Sequence, residues 1–454
     1  MIRKNEKITV IIENVTGKGF GVARVNDFVL FIEGALPCDK MIAQVIKVKK
    51  TYGYAKIINI LQPSPYRIQS PCPVSEKCGG CQWQNCVYNA QLNFKEDIIK
   101  DALIRIGNVS DPPISDIRGM YPPQPYRNKA VFPIVPTENG FAIGMYAPRS
   151  HRIIPIDKCE IQHPIHVPIL AAMRNHNVSA YDEITHKGVM RHIIIRTSKT
   201  TGEVMVVLVV NANGVPGEQD LIESLTTAGA TTIVINRHKE KTNTIMGNHL
   251  RVVTGDGFIK EKINEIWYQL SAPSFFQINP VQTEVLYSKA IEMADLDGTQ
   301  TVIDAHVGVG GVALQAAKMS REVIGVDIVP EAIKDAEKNA ELNGIKNAKF
   351  ICGLAEEVIP DLLSNTTPDV VFLDPPRKGC DNALLDAIST AKIKTIVYIS
   401  CDPATLARDI KRLTESGYVL KRVQPVDMFP MTGKVETVTL LCLNDEVRMK
   451  VVNV

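Results

Sequence analysis

The sequence predicts an α/β protein: a mostly parallel C-terminal sheet, preceded by a small β-barrel and a β-rich central region. Three observations carry this. From about residue 281, buried-type apolar runs ("TVIDAHVGVGG", "REVIGVDIV", "NAKFICGLA", "PDVVFLDPP", "KTIVYISC") alternate with helical segments, the pattern of strands covered on both faces by crossover helices. Residues 7–60 are short apolar–polar alternations, broken by Gly17, Gly19, Gly21 and Gly34. That spacing suits a small barrel of the general kind that binds nucleic acid. Residues 126–270 are again strand-like, as in "VMRHIIIRTS", "GEVMVVLVVN" and "ATTIVINRH".

The expected units are 1–61 (barrel), 62–270 (central domain) and 271–454 (Rossmann-like sheet). Proline-rich "LQPSPYRIQSPCP" reads as the linker after the barrel, because proline blocks helix and ladder alike. "YNAQLNFKEDIIKDALIRIG" (about 87–106) reads as an amphipathic helix placed to pack on the C-terminal unit.

The chain has 454 residues, 45% hydrophobic and 22% charged, ordinary for a globular protein. No apolar run approaches the ~20 residues of a membrane-crossing helix. "MIRKNEKITV" lacks the apolar core of a signal peptide, so the expectation is a cytoplasmic protein, and a monomer. Net charge is only +2, but residues 1–60 hold ten Lys/Arg against five Asp/Glu, a local +5 that leaves −3 for the rest. Such a module is either a handle for phosphates or a solvated surface. Lys47, Lys49 and Lys50, beside Tyr52 and Tyr54, are the candidates to grip RNA. Ten unevenly spaced cysteines suggest metal binding or catalysis rather than a disulfide framework.

"VIDAHVGVGGVALQAA" (302–317) is a strand, a Gly-rich turn and a helix start, allowing close backbone approach to a ligand. It lacks the full dinucleotide fingerprint. The next strand ends in Asp327, placed to accept hydrogen bonds from ribose hydroxyls. Asp304 before the glycines and the lack of a phosphate-binding lysine favour a nucleoside without phosphates; S-adenosylmethionine fits better than NAD. Asp374 in "FLDPPRKG" ends the fourth strand and Cys401 in "ISCDPATLARD" the fifth. Both therefore fall on the rim where open α/β sheets bind ligands. Glu436 in "DMFPMTGKVET" stands between a turn and the last strand. Alone, each residue has a bland reading: core cysteine, turn-capping aspartate, solvated glutamate.

"SCDPATLARD", "FLDPPRKG", "SAPSFFQINPVQTEVLY" and "DMFPMTGKVET" together resemble the RNA 5-methyluridine methyltransferase family. Residues 7–60 resemble a TRAM domain and the cysteine knuckle at 72–81 resembles an iron–sulfur site, which together point to the ribosomal RNA branch. The resemblance implies Cys401 as nucleophile and Glu436 as base, with Gln277, His306, Asp327 and Asp374 at the positions that bind S-adenosylmethionine. Uracil C5 is a poor nucleophile, and thiolate addition at C6 makes an enolate whose C5 attacks a methyl sulfonium; a base then takes the C5 proton and the thiolate leaves. His306 stands where the family usually carries Tyr, Gly311 replaces a commoner Thr, and Lys434 replaces an expected His. A cation at 434 is expected to favour the charged form of Glu436.

"CPVSEKCGGC" gives Cys72, Cys78 and Cys81, and a fourth thiol, Cys159, lies in "IDKCEIQHP". Four thiolates suit tetrahedral zinc or a cubane iron–sulfur cluster. The family resemblance implies a [4Fe–4S] cluster. Cys86 fits the pattern less well and reads, with Cys352, Cys380 and Cys442, as structural.

The implied partner is large-subunit (23S) ribosomal RNA. Transfer RNA 5-methyluridine formation is the enzyme alternative, disfavoured on the expectation that its branch resembles the catalytic part alone. A non-catalytic iron–sulfur RNA-binding protein is the alternative from another class.

Overall fold

The computed structural model describes residues 2–138 and 140–444. Six strands open the chain: β1 (Lys7–Ile11), β2 (Asn14–Val15), β3 (Phe20–Val25), β4 (Phe28–Glu33), β5 (Lys40–Val48) and β6 (Tyr52–Gln62). They form one sheet in the order β1-β5-β6-β4-β3-β2, with β4 and β6 parallel, and β1 approaches β3 across the open side. Alternation sends Leu30, Ile32, Met41, Ala43 and Val45 inward to a core of their own. Phe20, Phe31, Tyr52 and Tyr54 take the other face. Beyond the barrel, fully buried Asp39 accepts both Arg67 Nε at 2.8 Å and Arg67 Nη2 at 2.6 Å, tying the linker to the barrel.

Helix α1 (Tyr88–Arg105) follows. Then come β7 (Lys129–Thr137), β8 (Gly140–Tyr146), β9 (Ile153–Pro155), α2 (His166–Arg174), β10 (Met190–Thr197), β11 (Val204–Val210), α3 (Glu218–Thr227), β12 (Thr232–Arg237) and β13 (His249–Thr254). The strands form a seven-stranded sheet, order β13-β12-β11-β10-β7-β8-β9. Every residue of β10 and β11 is buried. Ile193, Ile195, Val206 and Leu208 face a core closed by Ile169, Leu170, Leu221 and Leu225 of α2 and α3. Ile194, Met205, Val207 and Val209 face the C-terminal unit instead. Two covered faces explain the unbroken apolar runs of these strands.

The hairpin β14 (Phe258–Ile263) and β15 (Ile266–Ser271) shares its core with the C-terminal sheet through Ile259, Tyr268 and Leu270. Ile99 and Leu103 of α1 also lie in that sheet's core. By packing, both elements sit with the C-terminal unit, so the division at 62–270 cuts across it.

That unit runs α4 (Pro280–Ala294), β16 (Thr301–Asp304), α5 (Gly311–Ala317), β17 (Glu322–Asp327), α6 (Pro330–Leu342), β18 (Ala348–Cys352), α7 (Ala355–Asn365), β19 (Val370–Leu373), α8 (Asn382–Thr390), β20 (Thr395–Ser400), α9 (Pro403–Glu415), β21 (Tyr418–Val426) and β22 (Glu436–Leu443). Its sheet order is β18-β17-β16-β19-β20-β22-β21, parallel through β20, with β22 antiparallel to β20 and to β21. The order reverses at β16, the topological switch point where such sheets bind ligands.

The barrel touches this unit directly. Its β2–β3 turn lies so close to the loop before β22 that a Cβ on Gly433 would stand 2.8 Å from the Gly17 carbonyl oxygen. Among the described residues no helix is long and apolar enough to cross a membrane.

Candidate active site and four-thiol site

Register builds the rim. Ser400 pairs with Thr437 across β20 and β22, so the next rung sets Cys401 beside Glu436. Leu373 pairs with Tyr398, which leaves Asp374 one residue past β19 on the same rim. Asp304 closes β16 opposite Phe372 of β19 and Gly325 of β17. Asp402 then ends the strand chemistry abruptly: its carboxylate accepts from the Ala404 N–H at 3.0 Å and the Thr405 N–H at 3.2 Å, with Pro403 opening α9.

The rim is acidic and dry. Burial, helped by Asp304, pushes Asp374 up to about 7, and burial does the same to Asp304. Burial and then Asp374 raise Glu436 well above the usual carboxylate range, against the opposing pull of Arg377 and Lys434. The expected effect of Lys434 is therefore present but outweighed: its side chain is exposed, over the Phe429 ring, and burial of Glu436 wins. Burial first, then Glu436 and Asp374, push the Cys401 thiol up to about 11, with Arg377 opposing. Arg377, in "DPPRKG", was not singled out in the sequence; a cation three residues past Asp374 was the available signal.

At the cofactor end, Gly308 and Gly310 are left-handed, and a Cβ on Gly308 would meet open space. Asp327 accepts from the Gly308 N–H through one oxygen and from the Val329 N–H through the other, both at 2.9 Å. Each oxygen keeps a further lone pair for a hydroxyl donor. His306 is held neutral by burial, its pKa pulled down to about 4, and its Nδ1 is buried without a partner. Gly311 has a local reason: a Cβ there would stand 2.6 Å from the Tyr287 hydroxyl. Gln277 is buried on the segment entering α4, its carbonyl accepting from Asn128 Nδ2 at 3.0 Å. The open lone pairs of Asp327 and the unpartnered Nδ1 of His306 leave hydrogen-bonding capacity that fits the nucleoside part of S-adenosylmethionine.

Cys72, Cys78, Cys81 and Cys159 line one small, partly open pocket, walled by Val74, Met145, Ile156 and Ile161. Burial raises Cys78, Cys81 and Cys159, and each is raised further by others of the set. Gly80 N–H and Gln84 Nε2 already donate to the sulfurs of Cys78 and Cys81, at 3.4 and 3.6 Å. Among the described residues no three such side chains converge on a single metal ion. Cys86 is buried instead among Val15, Leu36, Trp83 and Phe94. Cys380 is buried in the sheet's core, whereas Cys352 is exposed.

On the barrel, Phe31 packs against Tyr52 and Tyr54 with ring centroids 5.8 and 5.7 Å apart, and Phe20 against Tyr54 at 6.0 Å. Lys47, Lys49 and Lys50 are exposed around them. Aromatic faces amid cations suit single-stranded nucleic acid.

Fold and rim together define a nucleoside-binding methyltransferase whose sheet end presents a thiol and a carboxylate side by side. The chain belongs to the tRNA (uracil-5-)-methyltransferase family, whose model matches residues 87–444, and a TRAM domain model matches residues 3–58. It is an S-adenosylmethionine-dependent RNA methyltransferase of the uracil-5 type. A relative from Halalkalibacterium halodurans, named an uncharacterized RNA methyltransferase, is 44% identical over 98% of each chain. A similarly named protein from Listeria innocua is 43% identical, covering 98% of this chain and 99% of the relative. The crystal structure of Pyrococcus abyssi tRNA (uracil-54, C5)-methyltransferase in complex with S-adenosyl-L-homocysteine superimposes with a TM-score of 0.77, at 26% identity, over 96% of this chain and 100% of that one. That coverage overturns one expectation: a transfer RNA enzyme resembles nearly the whole chain, so the parts outside the catalytic domain do not by themselves exclude a transfer RNA target.

Proposed function

We propose that the protein methylates C5 of a uridine in 23S ribosomal RNA through a covalent adduct on Cys401. The adjacency of Cys401 and Glu436, opposite each other one rung past Ser400 and Thr437, supports this reading most directly. S-adenosylmethionine, when bound, supplies the electrophilic methyl group. The Cys401 thiolate adds to uracil C6, and the C5–C6 π electrons pass to the O4 enolate. The enolate returns its electrons through C5, which forms the new bond to methyl as the methyl–sulfur bond of the sulfonium breaks and its electron pair stays on sulfur, leaving a neutral thioether. Glu436 takes the proton from C5, the C6–S bond breaks, and the C5–C6 double bond is restored with the thiolate released. Asp327, His306, Gln277 and Asp374 would hold the cofactor. The target base must leave its stack to reach Cys401, and the barrel's aromatic and basic face offers a place for the strand around it.

Ribosomal RNA follows the sequence likeness of the barrel and thiol set. A transfer RNA uridine is the second reading, favoured by the Pyrococcus abyssi enzyme's likeness over 96% of the chain. Assay of the purified protein with labelled cofactor against unmodified ribosomal and transfer RNAs separates them. Label on 23S RNA alone is the expected result; label on transfer RNA alone moves the assignment.

We further propose that Cys72, Cys78, Cys81 and Cys159 hold a [4Fe–4S] cluster that staples the segment before α1 to the central sheet. Cys78→Ala is expected to lose most of the protein-bound iron. Unchanged iron content overturns the assignment.

A further inference from the structure

The loop that delivers Glu436 is gripped by groups that do not touch the reacting atoms. Val426 pairs with Glu436 across β21 and β22, so Asp427, the next residue, stands at the neck of the hairpin beside the proposed base. Its carboxylate is wholly buried. One oxygen accepts from Lys95 Nζ at 2.5 Å and the other from the Tyr88 hydroxyl at 2.7 Å. Lys95 Nζ donates again, to the Phe429 carbonyl at 3.1 Å. Further along the loop, Met431 is left-handed, with φ 66°. Its N–H donates to Gln91 Oε1 at 2.9 Å, and its carbonyl accepts from the Gln82 and Trp83 N–H groups at 3.1 and 3.0 Å.

Lys95 is the centre of this arrangement. It has no exposed surface, on a helix that Ile99 and Leu103 root in the core of the catalytic sheet. A buried ion pair is a poor device for stability, since similar-sized apolar residues commonly do as well or better. It is a good device for holding one carboxylate and one carbonyl in one place. Both groups belong to the turn that enters β22 at Glu436. Cys401 and Asp374 follow β20 and β19, and Asp327 ends β17; none of the Lys95 hydrogen bonds reaches these strands.

We propose that Lys95, acting through Asp427 and the Phe429 carbonyl, is a positioning residue for proton abstraction: it fixes where the Glu436 carboxylate stands relative to uridine C5. The inference rests on the reading of Glu436 as the base. Loss of Lys95 then falls on elimination, while adduct formation and methyl transfer proceed.

The test uses the full chain, an unmodified RNA that the protein methylates, and labelled cofactor in single turnover. Lys95→Met removes the cation; Lys95→Met with Asp427→Asn also restores neutrality at the buried site. Methyl incorporation into RNA, free and protein-bound together, is expected within about threefold of the parent. Release of methylated RNA is expected to slow about 10²-fold, the cost of a misplaced group far from its anchor, so a methylated protein–RNA adduct accumulates on denaturing gels. Equal slowing of methyl incorporation and release, or normal release without adduct, overturns the proposal. If both lysine variants fail to fold, Asp427→Asn alone carries the same test by removing the carboxylate through which Lys95 acts; absence of adduct there overturns it. Glu436→Gln runs alongside. If that variant builds no methylated adduct, the base assignment fails; if it does and the Lys95 variants do not, only the positioning role fails.

Discussion

Cys401→Ala is expected to lower RNA methylation by about 10⁴-fold or more, the scale seen when an essential nucleophile is removed. The same change removes the covalent adduct with 5-fluorouridine RNA, because fluorine at C5 blocks elimination and traps the parent protein on Cys401. The fold should be little affected: Cys401 is half-buried, at the start of a turn whose structure depends on Asp402 and Pro403. Unchanged thermal unfolding with lost activity separates chemistry from folding. The surroundings add a pH signature. Burial, Glu436 and Asp374 hold the thiol up to about 11 in the free protein, so the thiolate is scarce at neutral pH. Alkylation of Cys401 by iodoacetamide, followed by peptide mass spectrometry, should rise about tenfold per pH unit between pH 7 and 9. A flat profile would mean that Arg377 dominates the acids around it. Methylation that survives in Cys401→Ala, or an adduct on another residue, sinks the mechanism.

Strand-type runs made the α/β sheet legible because its central strands are covered on both faces and so carry no polar alternation; edge strand β18, read as a buried-type run, is instead open, with Lys349 and Cys352 exposed. The same runs placed Asp374 and Cys401, since a strand's last apolar residue marks the rim. Glu436 was harder. It depends on antiparallel β22 inserting between β20 and β21, and the pairing with β20 joins segments more than thirty residues apart, which local pattern does not encode. The unit boundaries were legible only as composition changes. Hairpin β14–β15 alternates like any surface strand pair, and nothing local tells that Ile259 and Tyr268 pack on the C-terminal sheet. Lys95 and Gln91 read as the polar face of an amphipathic helix, yet both are fully buried against the loop 427–431. A buried lysine looks like a solvated one until its carboxylate partner, 332 positions away, is found. The four thiols were easier, because cysteine is rare and its spacing stands out.

Glu436→Gln is expected to keep adduct formation and methyl transfer while slowing release of product RNA by roughly 10³-fold, within the range general-base catalysis contributes. The amide keeps the shape of the side chain but cannot take the C5 proton, so the methylated RNA stays bound through C6–S. The pH behaviour follows from burial. Glu436 sits well above the usual carboxylate range, and only its charged form is a base, so release by the parent protein should rise with pH on a limb displaced upward from that range. Stability runs the other way. A carboxyl whose folded pKa exceeds its unfolded value costs nothing below the unfolded value, and its penalty grows as pH rises towards the folded one. Glu436→Gln removes that penalty, so its unfolding temperature should exceed the parent's at pH 7, with the gap closing towards pH 4.5. Asp304, raised to about 7, remains in both proteins, whereas Asp374 is coupled to Glu436, so relief of their mutual repulsion adds to the gap at pH 7. A variant that unfolds below the parent at pH 7 would mean that the protonated glutamate makes hydrogen bonds the amide cannot replace. Such a result would leave the base role to be decided by the adduct alone. A variant that releases methylated RNA at the parental rate would remove Glu436 from the mechanism, and with it the reason for a buried lysine to hold the neck of its hairpin.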